Sequence, residues 1–368
     1  MNDNLIHEYQ TGGTVLSKGR NSNLELYRVI VMLLIVAHHY VVNSNLLSSE
    51  GPVMANLCSS KSLFLLVFGM WGKTGINCFV LITGYYMCKS AITVKKYIKL
   101  LFEVYFYRFV IYGVFTISGY TSFRFKEFVF LFFPINEVSY DFTSCFLIFY
   151  LTIPFLTILV QNMNKRQHFS LVALCLLVYS VIGTIPWFGV TFNYVTWFVV
   201  LFFISSYLRL YSESWFNNTR LWGGLSVLSV AVSVFSVLIL TYWEVKTGRT
   251  GWHYFFVVDS NKILAVITAV TSFMFFLNLK IKNNRLINSI GASTFGVLCI
   301  HANSDTMRKW LWKDTLNNIG AYYTDYMLFH AIFSVIGVFL ICTLLDQMRI
   351  RLIEKPIFEK FSKYDWFK

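Results

Sequence analysis

Charge is what this chain has least of. Asp, Glu, Lys and Arg make up 13% of its 368 residues, whereas 56% are apolar and 19% aromatic, too little polar surface to cover a soluble globule. The same figures exclude a disordered, collagen-like or low-complexity chain. Cysteine is sparse as well: the 7 residues form no CxxC pair and mostly sit inside apolar runs, so neither a disulfide scaffold nor a metal or redox site is indicated. Period-two alternation is missing, and runs such as Leu225 to Leu240 and Leu328 to Leu345 are apolar on every face, which excludes a β-barrel. No small-residue cleavage site separates the first apolar run from the polar stretch Asn43 to Glu50, so no cleaved signal peptide is expected. A basic stripe is absent too. The net charge of +13 is scattered through loops, which points to membrane orientation rather than a nucleic-acid partner.

What is present is a series of apolar segments near the ~20 residues that a helix needs to cross a bilayer core. There are ten: 24–42, 63–88, 97–118, 142–162, 168–188, 194–211, 221–243, 259–279, 286–302 and 326–347. The reading is an all-α integral membrane protein, a single bundle of about ten transmembrane helices in the lipid bilayer, with residues 1–20 as a polar tail and 21–368 as one membrane domain. An even number of spans puts both termini on one side. Placing that side in the cytoplasm leaves about 20 of the 31 Lys and Arg inside while the acids divide evenly, as the positive-inside rule requires. The localisation expected is therefore the cytoplasmic membrane, multi-pass, with both ends cytoplasmic. Two segments depart from a plain span. Lys73 and the glycines from Gly69 to Gly75 interrupt the second, and Thr121 to Pro134 is aromatic, basic and too short to cross, an external amphipathic piece. No internal repeat and no room for a soluble domain are evident.

Ionisable groups inside spans cost ~2.5–3.5 kcal/mol on insertion scales and generally face a bundle interior or a wet cavity. On the first helix, Arg28 and His39 stand eleven residues apart. At ~100° per residue that closes to within ~20° of three full turns, so the two share a face about 16 Å apart. Glu25 falls within ~40° of that face and His38 points ~100° away. The plainer alternative is that Arg28 and His39 only anchor the two helix ends at the interfaces. Lys73 and Asn77, four residues apart, share a face suited to an acceptor cavity or an oxyanion, unless Lys73 snorkels to the headgroups. His301, Asn303 and Asp305 close the ninth segment, as acceptor contacts or as a solvated helix end. Glu103 follows Lys99 by four residues, which predicts a local ion pair, and Arg108 lies on the same segment. Trp187, Tyr194, Trp215, Trp222 and Trp252, at segment ends, read as the interfacial aromatic belt.

Arg, ten residues, then His on the first helix resembles the signature of the acyltransferase 3 family, multi-spanning bacterial enzymes that O-acylate cell-surface carbohydrates; Arg28 and His39 match it. The stretch Gly75 to Tyr86 (GINCFVLITGYY) is similar to that family's GV-x-x-F-x-x-x-SGY, with Thr83 where Ser is usual. Lys96 and Lys99, in Lys95 to Lys99, occupy a basic R-x-x-R element, though Lys meets phosphate as a point charge and cannot form the bidentate fork of Arg. Ser293 to Asn303 (STFGVLCIHAN) resembles the family's STFGVYLIH. A Trp often found at the opening of the fourth helix is missing from Tyr140-Asp141-Phe142-Thr143. The resemblance runs from Arg20 onward, and the SGNH hydrolase-like domain of some members has no counterpart.

The resemblance implies an O-acyltransferase with acyl-CoA, most simply acetyl-CoA, as donor and a carbohydrate acceptor. It places the CoA phosphates at Arg28, Lys95, Lys96 and Lys99, with His39 as general base or as carrier of an acyl-imidazole. Glu25 and His38 would orient or charge-balance that pair, and Lys73, Asn77, His301 and Asn303 would meet the acceptor. No metal is called for. A different class, a transporter or flippase of a lipid-linked or anionic substrate, also suits intramembrane Arg, His and Lys, although the paired repeats common in transporters are not seen. Oligomeric state stays open.

Overall fold

The structure is a computed structural model that describes residues 21–361; the polar tail at 1–20 lies outside the described residues. Those residues form helices and no strand. In chain order the helices are α1 (Ser22–Val42), α2 (Pro52–Ala55), α3 (Ser60–Gly69), α4 (Gly72–Met87), α5 (Val94–Ile117), α6 (Phe125–Phe130), α7 (Phe142–Gln161), α8 (Lys165–Leu176) and α9 (Tyr194–Leu210). There follow α10 (Thr219–Thr247), α11 (Ile263–Asn278), α12 (Arg285–Ala292), α13 (Thr294–His301), α14 (Asp305–Lys309), α15 (Asn318–Tyr322), α16 (Met327–Arg349) and α17 (Lys355–Phe361).

Among the described residues, six helical stretches are long and apolar enough to cross a membrane: Ser22–Val42, Ser60–Met87, Val94–Ile117, Phe142–Gln161, Thr219–Thr247 and Met327–Phe361. Tyr194–Leu210 and Ile263–Asn278 are shorter apolar helices. The chain is a multi-pass membrane protein. Each of the ten segments read from the sequence carries helix, but several are shorter or broken. The second is interrupted after Gly69, where the glycines predicted a break, and the ninth divides at Ser293 into α12 and α13. The fifth passes into a π-helical turn at Leu177–Ile182, and the eighth begins only at Ile263. With so few charges available, neutral caps set many of the boundaries. The side chains of Asn21, Ser59, Thr93, Asn193 and Asn218 each accept a backbone N–H in the first turn of the helix that follows.

Helix α1 is the spine. It packs against α3, α4, α11, α12, α13 and α16, while α5 and α10 are peripheral and turn side chains such as Val114, Val227 and Phe235 outward. Helix α4 packs in turn on α9, whose Trp197, Phe198, Leu201 and Phe202 are fully buried. Apolar burial gives little drive between helices in lipid, so close van der Waals approach has to hold them. Glycine supplies it: a Cβ at Gly69, Gly72 or Gly75 would fall onto Val41, His38 or Ile35 of α1. The same residues that break the second span therefore also bring α3 and α4 against α1.

A buried ionic cluster locks the end of α16. Arg349 pairs with Glu103 of α5 at 3.0 Å, with Asp346 at 2.9 Å and with Glu354 at 2.5 Å, and Asp346 also accepts from the Tyr107 hydroxyl at 2.8 Å. Lys99 pairs with Glu354 rather than with Glu103, and Arg108 donates to the Phe130 carbonyl. The local Lys99–Glu103 pair expected from spacing is thus replaced: Glu103 pairs with a guanidinium that gathers three carboxylates, and Lys99 pairs with another of them, Glu354. Replacing Arg349 with Met would strand those carboxylates in the interior, a loss of about 3–5 kcal/mol. Thermal unfolding of the purified protein in detergent should show a large drop in Tm for Arg349→Met and a smaller one for Arg349→Lys; an unchanged Tm would contradict the cluster's role.

Candidate active site

A cavity of about 610 Å³ opens beside the C-terminal half of α1, within the size range of small-molecule sites. Met32, Ile35, His38, His39, Val42 and Asn43 line it in sequence order, so one helix measures its depth, ~16 Å at 1.5 Å per residue. Its deeper wall is apolar, with Ile76, Phe79, Val104, Phe295 and Leu298. Its rim is polar, with Asn136, Glu137, Asp141, Asn303, Asp305 and Arg308. His39 stands where the two zones meet.

The ring nitrogens of His39 are not equivalent. His301, at the last residue of α13 and fully buried (0% exposed), brings its Nδ1 to 2.6 Å from the Val297 carbonyl one turn back. A carbonyl only accepts, so this Nδ1 carries a proton, and an imidazole so enclosed without an acid partner is kept neutral. Its Nε2 therefore accepts, and the 2.9 Å contact with His39 Nδ1 makes His39 the donor. That leaves a lone pair on His39 Nε2 at the cavity. The pair is an imidazole held in the tautomer of a general base by a second imidazole, the orienting arrangement familiar from catalytic triads. Trp312 packs edge-on against His301 at 6.4 Å.

His38 is held differently. Its Nδ1 meets the carbonyl of Gly69, where α3 stops, at 2.6 Å. It satisfies one of the backbone acceptors freed by the helix break and ties that break to α1. Lys73, in the first turn of α4, also faces the cavity; its Nζ donates to the Tyr194 hydroxyl at 2.5 Å and lies 3.7 Å from Asp259. Asp259 is brought there by the loop after α10, which Glu244 organises by accepting the backbone N–H groups of Gly251, Trp252 and His253 as well as contacting the His253 ring.

A family model described as an acyltransferase domain matches residues 21–347, nearly all of the described chain. The chain belongs to the acyltransferase 3 family. It is accordingly a membrane acyltransferase that uses an acyl donor. No curated protein and no solved structure matches it.

Set on this acyltransferase, the residues singled out from sequence divide into two groups. His39, His38, Lys73 and Asn303 line the cavity. Arg28, Glu25, Lys95, Lys96, Lys99, Asn77 and His301 do not. Arg28 pairs with the buried Glu25 at 3.1 Å, about one turn below the cavity's lowest α1 residue, Met32. Lys96 closes the turn before α5 by donating to Ser90 and Ala91, and Lys95 and Lys99 border a separate groove of about 160 Å³ beside Phe358 and Glu359. Among the described residues, the cavity that His39 lines is not bordered by Arg28, Lys96 or Lys99. Asn77 is fully buried, donating to the Ser260 carbonyl at 2.7 Å and accepting from the Trp197 indole at 2.8 Å, and so holds α4 to α9. His301 reaches the cavity only through His39. Sequence reasoning passed over Tyr194 and Asp259, the partners of Lys73. Tyr194 was read as belt aromatic, yet it is 1% exposed. Its position at the start of α9 was the misleading signal, and no local signal marks Asp259.

Glu244→Gln should free part of the loop that carries Asp259, since one oxygen acceptor is lost against three backbone donors and a ring, at a cost of about 1–3 kcal/mol. Limited trypsin digestion of the purified protein should then cut after Arg249 faster than in wild type; equal rates would show that Glu244 does not hold the loop.

Proposed function

We propose that the protein is an O-acyltransferase that moves an acyl group, acetyl in the simplest case, from cytoplasmic acyl-CoA to a hydroxyl of a cell-surface or exported polysaccharide. The observation that carries this reading is the His39–His301 pair, with a base nitrogen presented to a cavity at the junction of an apolar wall and a polar rim. In this reading the chain crosses the bilayer ten times with both termini cytoplasmic, so that the deep end of the cavity faces the donor side and the rim faces outward.

An alcohol is a poor nucleophile until its proton is being removed. The acceptor hydroxyl oxygen bonds to the thioester carbonyl carbon while its proton passes to His39 Nε2. The tetrahedral intermediate then collapses, the C–S bond breaks, and the departing sulfur takes the proton from Nε2, leaving an ester, free CoA thiol and the original imidazole. The apolar wall and the polar rim border one cavity with His39 between them, which supports direct transfer over an acyl-imidazole relay. Amides, carboxylates and Tyr140 at the rim are the groups that sugar hydroxyls and ring faces call for. The apolar wall suits the acyl group and the uncharged end of the pantetheine arm. Arg28, one turn deeper, is a cation that would meet the anionic end of CoA, with Lys95, Lys96 and Lys99 on the same side. Donor entry then requires the floor around Met32 and Phe79 to part.

The ester content of surface glycans, measured by mass spectrometry in cells with and without the protein, tests the reading. His39→Ala and His39→Gln should lose transfer by roughly 10²–10⁴-fold. His301→Ala, which releases the tautomer without touching the reactants, should lose roughly 10²–10⁴-fold as well. Full acylation in a well-folded His39→Ala protein would end the assignment of His39 as the base.

A further inference from the structure

Lys73 is the unexplained group in the cavity. The acyl-transfer reading gives work to His39 and to the rim but none to an ammonium on the opposite wall. Its surroundings are built rather than incidental. Gly72 lets α4 approach the His38 ring, and that contact fixes the first turn of α4, which carries Lys73. Tyr194, stacked on Phe198 at 5.6 Å and edge-on to Tyr140 at 5.9 Å, is held with its hydroxyl at the ammonium. Asp259 holds the same ammonium from a separate loop.

Two consequences follow from this wiring. Because Lys73 supplies the proton of its bond to Tyr194, the phenol oxygen is the acceptor there, and the phenol's own O–H can turn to a third group, the cavity or the neighbouring Ser260 hydroxyl. An ammonium has three N–H donors, and Tyr194 and Asp259 take two directions, which leaves one for the cavity. There is also a charge argument. Lys73 lines the same cavity as His38 and His39. A fixed cation near the base opposes formation of imidazolium there, so its position is unfavourable for base catalysis unless a negative charge appears between the two at the same moment. The tetrahedral intermediate supplies that charge.

We propose that Lys73 and Tyr194 form the oxyanion site of the transfer, with Asp259 as the residue that positions Lys73. This rests on the acyl-transfer reading. As the hydroxyl oxygen bonds to the carbonyl carbon, the C=O electron pair moves onto the carbonyl oxygen, and that oxygen accepts from Lys73 and from the Tyr194 hydroxyl. As the C–S bond breaks the pair returns and the two donors are released. No proton is transferred to or from either residue. Donors fixed in advance where charge develops stabilise the transition state more than the ground state, so they raise the rate without tightening donor binding.

The test uses everted membrane vesicles from cells that express the full chain, supplied with radiolabelled acetyl-CoA, with label counted in the membrane glycans already present. Initial rates against acetyl-CoA concentration give the maximal rate per protein and KM. Lys73→Met is expected to lower the maximal rate roughly 10²–10³-fold and Tyr194→Phe roughly 10-fold, with KM for acetyl-CoA changed less than about 2-fold. Lys73→Arg should recover much of the loss, and Asp259→Asn should fall between wild type and Lys73→Met. Unchanged maximal rates, or a rise in KM alone, would overturn the oxyanion assignment while leaving acyl transfer intact. A wild-type protein that transfers no label while the vesicles retain the acceptor would overturn the underlying reading itself. Gel filtration of each variant checks folding; if Lys73→Met fails to fold, Tyr194→Phe and Asp259→Asn carry the test, and normal maximal rates in both would sink the assignment.

Discussion

One hydrogen bond, from His39 on α1 to His301 on α13, decides what the cavity can do. Without it the half-buried His39 imidazole would exchange tautomers and rotate, and its lone pair would face the cavity for only part of the time. With it, the chain of donors runs in one direction, from His39 to His301 to the Val297 carbonyl, and ends on backbone that cannot pass a proton further. The bond also has a structural side. Helix α13 is 8 residues long and ends inside the bundle, where unpaired carbonyls are costly, and His301 and Asn303 both fold back onto its last turns. His301, which helps finish the helix, is thus also the residue that holds His39.

Such a bond survives only if the two helices cannot drift. Helix α1 is held on one side by the glycine contacts with α3 and α4 and on the other by α12 and α13, where Gly291 lies against Glu25. Behind α13, Gly296 lies against the carboxylate of Asp346, so the Arg349 cluster braces the helix that carries His301. That cluster does not touch the cavity. Its contribution is to fix the separation of α5, α13 and α16, and with it the width of the apolar wall formed by Val104, Phe295 and Leu298. Buried ion pairs of this kind contribute little net stability, but removing one member leaves an uncompensated charge, which makes the geometry hard to relax.

The parts legible in the sequence were those governed by a single helix or by the bilayer. Hydropathy located the helical segments because lipid leaves the backbone little choice, and helical spacing placed His39 on an inward face. The break at Gly69 was visible because glycine interrupts an otherwise apolar run. What escaped notice depends on partners far apart in the chain. His301 is 262 residues from His39, so the sequence offered it as an acceptor contact or a solvated helix end and not as the partner of His39. Lys99 and Glu103 satisfied the spacing of a helical ion pair, but a surface pair of that kind is weak, ~0.3–0.5 kcal/mol, and the buried guanidinium of Arg349 outcompetes it. Tyr194 has the composition and position of a belt residue. Only packing shows that it is turned inward onto Lys73.

The arrangement of polarity along α1 bears on why such a site would acylate a hydroxyl instead of hydrolysing its donor. Water and a sugar hydroxyl present nearly the same nucleophile to a thioester, so selection has to come from where each can stand. Below His39 the wall offers water no partners among Met32, Ile35, Ile76 and Phe79, and a thioester seated there is shielded from attack on that side. Above His39 the rim offers many partners, but they are spread over several loops and helix ends, a spacing that a sugar bridges and a single water does not. A ligand held at several rim positions brings one hydroxyl to the base in a fixed orientation, and that advantage in effective concentration is what lets it outcompete water. The boundary between the two zones falls at His39, the proposed base, so on this proposal the order of polar and apolar residues on one helix would set both the chemistry and its selectivity.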